Sequence, residues 1–485
     1  MAKITPPAYT FDWLAQADPA LYAHLLEMRG QPLDLSLRVN ALKCEPEVAM
    51  CKWAELYGWQ YESVPYCPGG YWIKEARIAP SSTIEHRLGY YYIQEAASML
   101  PAELFDFSHT DHPLILDMAA SPGGKTIHLA DRAHDRGFIV ANDASRGRIP
   151  ALRIVLGTWG AINQAVTCLP GEWFGAHYPE TFDAVLLDAP CSMQGLRASE
   201  SHKARSITLT EVEALAERQA RLLESALRAV KVGGQVVYST CTLTPQEDEG
   251  VLAALLEQFP GCFTVEDANN RLPRPAPGLE TFEDKTFPKD VRKAARLWPH
   301  LFNTAGFFAA RLTKTASLPA AASAFNPHTA RPPQIKLPLP VETRGMVDHL
   351  NGQYGLELEQ ILAENDLQIA EIGGEFHLVG KALNARFHAL PWLSSGMPLG
   401  KALPEGWQPS HEFVSRFGDR FTRHIQILED EHLPAWMRGE DLRGYNAGPG
   451  LRGEVVAVRD ALGRNLGRAK VLENRLRNLL PTRLF

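Results

Sequence analysis

Between residues 115 and 247, short apolar runs alternate with stretches of helical periodicity, and this alternation constrains the fold more than any other feature. ILDM (115–118), GFIVAND (137–143), QAVTCL (164–169), FDAVLLDAPCS (182–192) and QVVYSTC (235–241) read as five strands. Between the last two, Leu215, Leu222, Leu223, Leu227 and Val230 fall at helical spacing. Thr210 and Glu213 are expected to cap that helix as a capping box, and Gly233 and Gly234 to end it. Thr244, Pro245 and Glu247 are expected to open the next helix as N-cap, first-turn proline and capping acid. Strand–helix alternation implies an α/β fold, a Rossmann-like parallel sheet covered on both faces. Ligands of such sheets sit outside the carboxyl ends of the strands.

Those ends carry the chemistry. The first strand runs into Ala119, Ala120, Ser121, Pro122, Gly123, Gly124 and Lys125, a glycine-bearing turn feeding a helix. Backbone amides in such a turn can approach a ligand closely, and the helix start favours anionic groups. The spacing is neither G-x-G-x-x-G nor G-x-x-x-x-G-K-[ST], which disfavours a dinucleotide or a nucleoside triphosphate. Asp143 ends the next strand, 26 residues after Asp117, where an acid can accept from both hydroxyls of a ribose. On these two features alone, a sharp turn and a surface aspartate explain the pattern equally well.

Two of the seven cysteines also lie at strand ends: Cys191 in Asp188-Ala189-Pro190-Cys191-Ser192 and Cys241 in Ser239-Thr240-Cys241-Thr242. With a helix expected from Thr244, Cys241 would sit near a helix N-terminus, which stabilises thiolate, the nucleophilic form. Cys44, Cys51, Cys67, Cys168 and Cys262 lack such settings and read as structural. No Cys-x-x-Cys occurs, which argues against a disulfide framework and a structural zinc, and no metal is expected. The start, MAKITPPAYTFDW, lacks a basic segment followed by an apolar one, and no apolar run reaches the ~18 residues of a membrane span. A cytoplasmic chain, without membrane contact and monomeric, is the expectation. Hydrophobic residues at 45% and charged residues at 22% exclude a disordered or fibrous chain.

Read together, several stretches resemble one family. SLRVNALK (36–43), YYIQEAASMLPAELF (91–105), DMAASPGGKT (117–126), DAPCS (188–192), VVYSTCTLTPQEDE (236–249) and RLWPHLFNTAGFFAARLTK (296–314) are similar to sequences of the Nol/Nop/Sun RNA cytosine-5 methyltransferases, in particular the RsmF-type ribosomal RNA enzymes. The resemblance implies a class I fold that binds S-adenosylmethionine. It also implies transfer to carbon-5 of cytosine in RNA, with small-subunit ribosomal RNA or the subunit as the expected partner. By the same resemblance Cys241 is the thiolate that attacks carbon-6, and Cys191 serves proton removal and release. Asp188 would contact the cytosine near ring nitrogen-3 and share in the cofactor pocket. Ala119 to Lys125 and Asp143 match the cofactor motif.

The chain departs from the family in places. Met193 follows Pro190-Cys191-Ser192 where glycine is usual, which restricts the loop. The stretch RASESHKARSIT lacks the usual basic-proline-aspartate pattern. After the third strand an acid often contacts adenine; Pro170 and Gly171 stand here, with Glu172 as the possible replacement.

The chain divides by texture into an N-terminal accessory RNA-binding lobe (1–100), a catalytic domain (101–315), an Ala/Ser/Pro-rich linker (316–340) and a β-rich C-terminal region (341–485). The resemblance makes the last a PUA-like RNA-binding extension. Net charge is −7, but residues 452–485 are locally basic: Arg452, Arg459, Arg464, Arg468, Lys470, Arg475, Arg477 and Arg483 face only Glu454, Asp460 and Glu473. With Tyr445 and Phe485 nearby, this patch is expected to contact phosphate. Rival readings are a transfer RNA cytosine-5 methyltransferase, a non-catalytic RNA-binding ribosome assembly factor, a nicotinamide-type dehydrogenase and a DNA enzyme. The placed cysteines and the missing G-x-G-x-x-G disfavour the dehydrogenase. A DNA enzyme would attack with the Pro-Cys cysteine and would not need the second one.

Overall fold

A computed structural model of the chain describes residues 11–28, 31–195, 206–319, 335–338, 340–403, 406–445 and 451–484. Most of the expected linker, the stretch 196–205 after Gly195, and Phe485 lie outside the described residues.

A nine-stranded sheet forms the centre. Its principal strands are β1 (Leu114–Asp117), β2 (Phe138–Asn142), β3 (Gln164–Thr167), β4 (Phe182–Asp188), β5 (Val230–Thr240), β6 (Phe263–Glu266), β7 (Phe307–Lys314) and β8 (Trp392–Ser395). Their order is β6-β7-β5-β4-β1-β2-β3-β8, with Ala295–Leu297 paired to β7 beside this path. The five strands read from sequence are mutually parallel. Strands β6, β7 and β8 run antiparallel to their neighbours.

The period of two sorts the strand residues onto two cores. Leu116, Val140, Val185 and Val236 face one way, against Leu222, Leu223 and Leu227 of helix α4 (Leu209–Ala229). Ile115, Ile139, Ala141 and Val237 face the other, against α1 (Gly124–Arg132) and α2 (Ile149–Trp159). The chain passes from β1 to β2 on one side and reaches β4 on the other, so the order reverses at β1. The crevice at the carboxyl ends of β1 and β4 is therefore the switch point where such sheets bind ligands.

Three local expectations are corrected. The capping box of α4 is Thr208 with Glu211, two residues earlier than Thr210 and Glu213. Both pairs satisfy the spacing, but Thr208 has the extended backbone an N-cap needs. Helix α4 ends at Ala229, and Gly233 and Gly234 lie within β5. There the register with β4 jumps from Phe182↔Val230 to Ala184↔Gln235. A side chain at Gly234 would stand 2.8 Å from the Asp183 carbonyl, so that glycine serves a close strand approach. Finally, Thr244–Glu247 is a turn, and helix α5 (Glu249–Gln258) starts after it. Glu247 turns inward and is fully buried.

The N-terminal region forms an antiparallel sheet in the order Trp59–Ser63, Gly70–Ala76, Leu35–Val39, Tyr91–Ile93. Arg38 from this sheet pairs with Asp131 and lies 4.7 Å over the Trp159 ring, locking it to the central sheet and its helices. After residue 340 come two further sheets, one of four and one of five strands, so this region is β-rich. It also interleaves with the central sheet. Strand β8 closes the edge at β3, and Phe387 stacks 5.3 Å from Phe138 and 5.7 Å from Phe182.

Of the basic residues of 452–485, Arg459, Arg464 and Arg468 are held inside the fold, while Arg452 and Arg475 stay at the surface in exposed ion pairs. Arg459 donates to the Gly418 and Phe421 carbonyls, and Arg468 to the Pro409 carbonyl. Arg464 pairs with Glu85 at 2.9 Å and Asp460 at 2.6 Å. Arg452 and Arg475 pair with Glu473 and Asp441. Among the described residues, no helix is long and apolar enough to cross a membrane.

Candidate active site

The turn after β1 is shaped by two glycines. Gly123 has φ +118, and a side chain there would meet Val155 of α2 at 3.0 Å. A side chain at Gly124 would stand 2.8 Å from the Tyr92 ring. The turn is thus pressed between α2 and the N-terminal lobe, and its backbone lines a cavity of about 840 Å³. That is the range of pockets that enclose small ligands.

Of the residues expected to bind cofactor or carry the reaction, all but Gly123 line this cavity: Ala119, Ala120, Ser121, Pro122, Gly124, Lys125, Asp143, Asp188, Cys191 and Cys241. Asp143 is buried and already accepts from Ser145 N at 2.8 Å and Ser121 N at 3.3 Å. Arg148 lies 3.3 Å from its carboxylate. This acid shapes the turn as well as facing the cavity.

Sequence reasoning passed over Asp117 as a site residue. Thr126 Oγ1 donates to its Oδ2 at 2.6 Å, while Oδ1 is buried without a well-formed hydrogen bond among the described residues. Burial pushes its carboxyl up to about 7. A buried acceptor on the wall of a cavity suits a cationic group such as the ammonium of an amino acid. Together with the glycine turn, it makes the site fit S-adenosylmethionine. The strand-end position of Asp117 was the available signal. Glu95 and Ser98 had none, because the N-terminal lobe brings them to the cavity only in the tertiary fold. Glu95 accepts from Ala305 N at 3.1 Å and Ser98 N at 3.3 Å, and burial raises it to about 7.

The reactive end lies between β4 and β5. Asp188 and Ser239 are paired in register, and Ser239 Oγ donates to Asp188 Oδ1 at 2.7 Å. Lys125 Nζ donates to Asp188 Oδ2 at 2.8 Å and to Ser98 Oγ at 2.7 Å. Burial works to lower the Lys125 pKa, but attraction by Asp188, with Cys241 and Asp117 adding to it, raises it. The lysine therefore stays charged.

Cys191 and Cys241 approach to 3.1 Å between sulfurs. The hydrogen bond to Cys241 pushes the Cys191 thiol up strongly, and burial adds to this. Either sulfur can donate in this contact. The expected helix N-terminus near Cys241 is absent, since α5 begins only at Glu249. The positive neighbour of Cys241 is Lys125 instead.

Met193 takes the left-handed backbone, φ +58, that favours glycine, and its partly exposed side chain lines the cavity. Gly171 lines the cavity after β3, whereas Glu172 does not. Of the remaining cysteines, Cys67 is buried and Cys51 is exposed.

Residues 105–313 match the family described as 16S rRNA methyltransferase RsmB/F, and residues 11–96 match the N-terminal domain of 16S rRNA methyltransferase RsmF. Ribosomal RNA small subunit methyltransferase F of Shewanella amazonensis is 34% identical over 93% of this chain and 92% of its own. Its namesake in Pectobacterium atrosepticum is 32% identical over 99% of this chain and 96% of its own. Among solved structures, a methyltransferase homolog protein from Pyrococcus horikoshii is similar, with a TM-score of 0.54 and 31% identity. It covers 62% of this chain and 98% of its own.

Proposed function

Because the chain belongs to the 16S rRNA methyltransferase RsmB/F family, we propose that it methylates carbon-5 of a cytosine in small-subunit ribosomal RNA through a covalent cysteine–cytosine intermediate. It is an S-adenosylmethionine-dependent methyltransferase. The observation that carries the finer reading is the pair of thiols 3.1 Å apart, beside Asp188 and Lys125, at the switch point of the sheet.

When bound, S-adenosylmethionine supplies an electrophilic methyl group on a sulfonium. The turn from Ala119 to Lys125 and the carboxylates of Asp117 and Asp143 are the groups that would hold it. Cytosine carbon-5 is a poor nucleophile until a thiolate adds at carbon-6. Cys241, next to the Lys125 ammonium, supplies that thiolate. Addition pushes electron density toward ring nitrogen-3 and its neighbouring oxygen, where the Lys125 ammonium stabilises the developing charge while Asp188 accepts from the neighbouring amino group. Once Cys241 is bonded to carbon, the largest cause of the raised Cys191 pKa is gone. Cys191 can then lose its proton to solvent and, after methyl transfer, take the carbon-5 proton, and the released electron pair expels Cys241 as a thiolate. Two thiols with separate duties favour this reading over a DNA enzyme, which needs one, and over a non-catalytic assembly factor, which needs neither.

Bisulfite sequencing of total RNA from cells with and without the protein tests the proposal. A protein-dependent 5-methylcytosine in small-subunit ribosomal RNA is expected. A signal confined to transfer RNA, or none in any RNA, would overturn it.

A further inference from the structure

Resting on the two-cysteine reading, we propose that Glu247 and Gln219 are positioning residues that set the spacing of Cys191 and Cys241. Glu247 is fully buried between the loops that carry the two thiols. Its Oε1 accepts from Ser192 N at 2.9 Å and from Gln219 Nε2 at 2.9 Å. Its Oε2 accepts from Thr244 Oγ1 at 2.6 Å. Gln219, on α4, also donates to the Pro190 carbonyl at 2.9 Å. The residues on both sides of Cys191 are therefore held by one Glu–Gln unit.

The same unit reaches the Cys241 loop. Thr244 hydrogen-bonds Thr242, whose hydroxyl lies 3.0 Å from Ser192 Oγ. Leu243 N donates to the Gln194 carbonyl at 3.1 Å. Between Pro190 and Gln194 on one loop, and Thr242 and Thr244 on the other, the clamp joins the two strand ends behind the thiols, with only Pro190 and Gln194 of these four reaching the cavity wall. Neither Glu247 nor Gln219 lines the cavity, so neither touches substrate.

The choice of a carboxylate is informative. A buried charge is tolerated when hydrogen-bond donors satisfy it. The buried Arg296 binds Asp248 and Glu249. The Glu247 carboxylate instead meets three neutral donors from three segments of chain, which fixes their mutual geometry. Geometry is what two thiols acting on adjacent carbons of one ring require. A displacement of 1 Å can slow such a reaction about 100-fold.

The test compares wild type, E247A, E247Q and Q219L in the full chain. One readout needs no RNA. Diamide takes two electrons and two protons from a thiol pair as the sulfur–sulfur bond forms, and the rate of Cys191–Cys241 crosslinking follows their spacing. E247A is expected to crosslink more slowly and to lose about 100-fold in turnover. It should also accumulate RNA adduct, because release fails before attack does. E247Q is expected to recover most of both rates. Its amide oxygen still accepts from Ser192 and Gln219, and the Thr244 hydroxyl can turn to accept. Calorimetric binding of S-adenosylmethionine verifies folding. Should E247A not fold, Q219L, which frees Pro190 while leaving Glu247 two donors, must show the same slowed crosslinking. Wild-type crosslinking and turnover in folded E247A or Q219L would overturn the clamp, as would an E247Q no better than E247A. Absence of adduct from wild type and C191S alike would sink the cysteine chemistry instead, while crosslinking would still decide on the clamp.

Discussion

At the scale of single residues, Asp117 links protonation to cofactor binding. Burial raises its carboxyl to about 7, well above its value in an unfolded chain. The folded protein therefore holds a proton that the unfolded chain has lost. Its contribution to stability is present at low pH and falls as pH rises toward 7. A cationic ligand group reverses the preference by favouring the carboxylate. Binding of S-adenosylmethionine should then release a proton below pH 7 and tighten as pH rises through 7. Calorimetry in two buffers of different ionisation heat measures that proton, and D117N should abolish it. Retention of the pH dependence in D117N would move the effect to Glu95, which titrates in the same range and lines the same cavity. The two thiols give the second residue-scale expectation. C191S should accumulate an enzyme–RNA adduct that survives denaturing electrophoresis, and C241S should not. An adduct in C241S alone would exchange their roles.

At the scale of elements, the capping box of α4 distinguishes two threonines that the sequence presents as equivalent. Thr208 accepts from Glu211 N at 3.2 Å, and Glu211 answers to Thr208 N at 2.8 Å. T208A should cost about 1 kcal/mol in a denaturant titration. T210A, inside the first turn, should fall within about 0.5 kcal/mol of wild type. Equal losses would show that the cap is shared. The strands and helices themselves were legible because parallel strands buried on both faces must be apolar throughout. Their exact ends were less so. Gly233 and Gly234 read as a helix stop because glycine is common there. Gly234 serves instead the tight approach of β5 to Asp183, and Gly233 takes a positive φ, neither of which a local pattern announces.

At the scale of the whole molecule, the C-terminal region is part of the catalytic body. Ending the chain at residue 319 removes β8 from the edge of β3 and Phe387 from its stack on Phe138 and Phe182. It leaves an open strand edge, a template for aggregation. Such a truncation should lower solubility and weaken cofactor binding. A soluble fragment with wild-type affinity in calorimetry would show the regions to be separable. Arg464 makes the same point from the other side. It ties the C-terminal sheet to Glu85 of the N-terminal lobe, with both side chains largely buried. R464A leaves that glutamate without its cation and should cost about 3–5 kcal/mol. The salt dependence of RNA affinity should stay as it is in wild type. A flatter salt slope with unchanged stability would return this arginine to the RNA-binding surface.

The sequence alone, through its resemblance to the family, pointed to methyl transfer and set the candidate residues at the strand ends. Asp188, Cys191 and Cys241 could be placed because strand ends are local features and a parallel sheet puts them all on one side. The turn after β1 was legible for a related reason, since two adjacent glycines before a helix permit the positive φ and the close packing that a ligand-binding turn needs. Tertiary structure decided which groups tune that chemistry. Lys125 stands by Cys241 where a helix start was expected, Glu95 and Ser98 come from another lobe, and Glu247 is buried in a turn where the capping acid of a helix was expected. It also decided the fate of the basic C-terminal residues, most of which bind carbonyls and carboxylates of the fold itself. A charge has no fixed partner in a sequence; its partner is set by which surfaces the folded chain brings within a few ångströms.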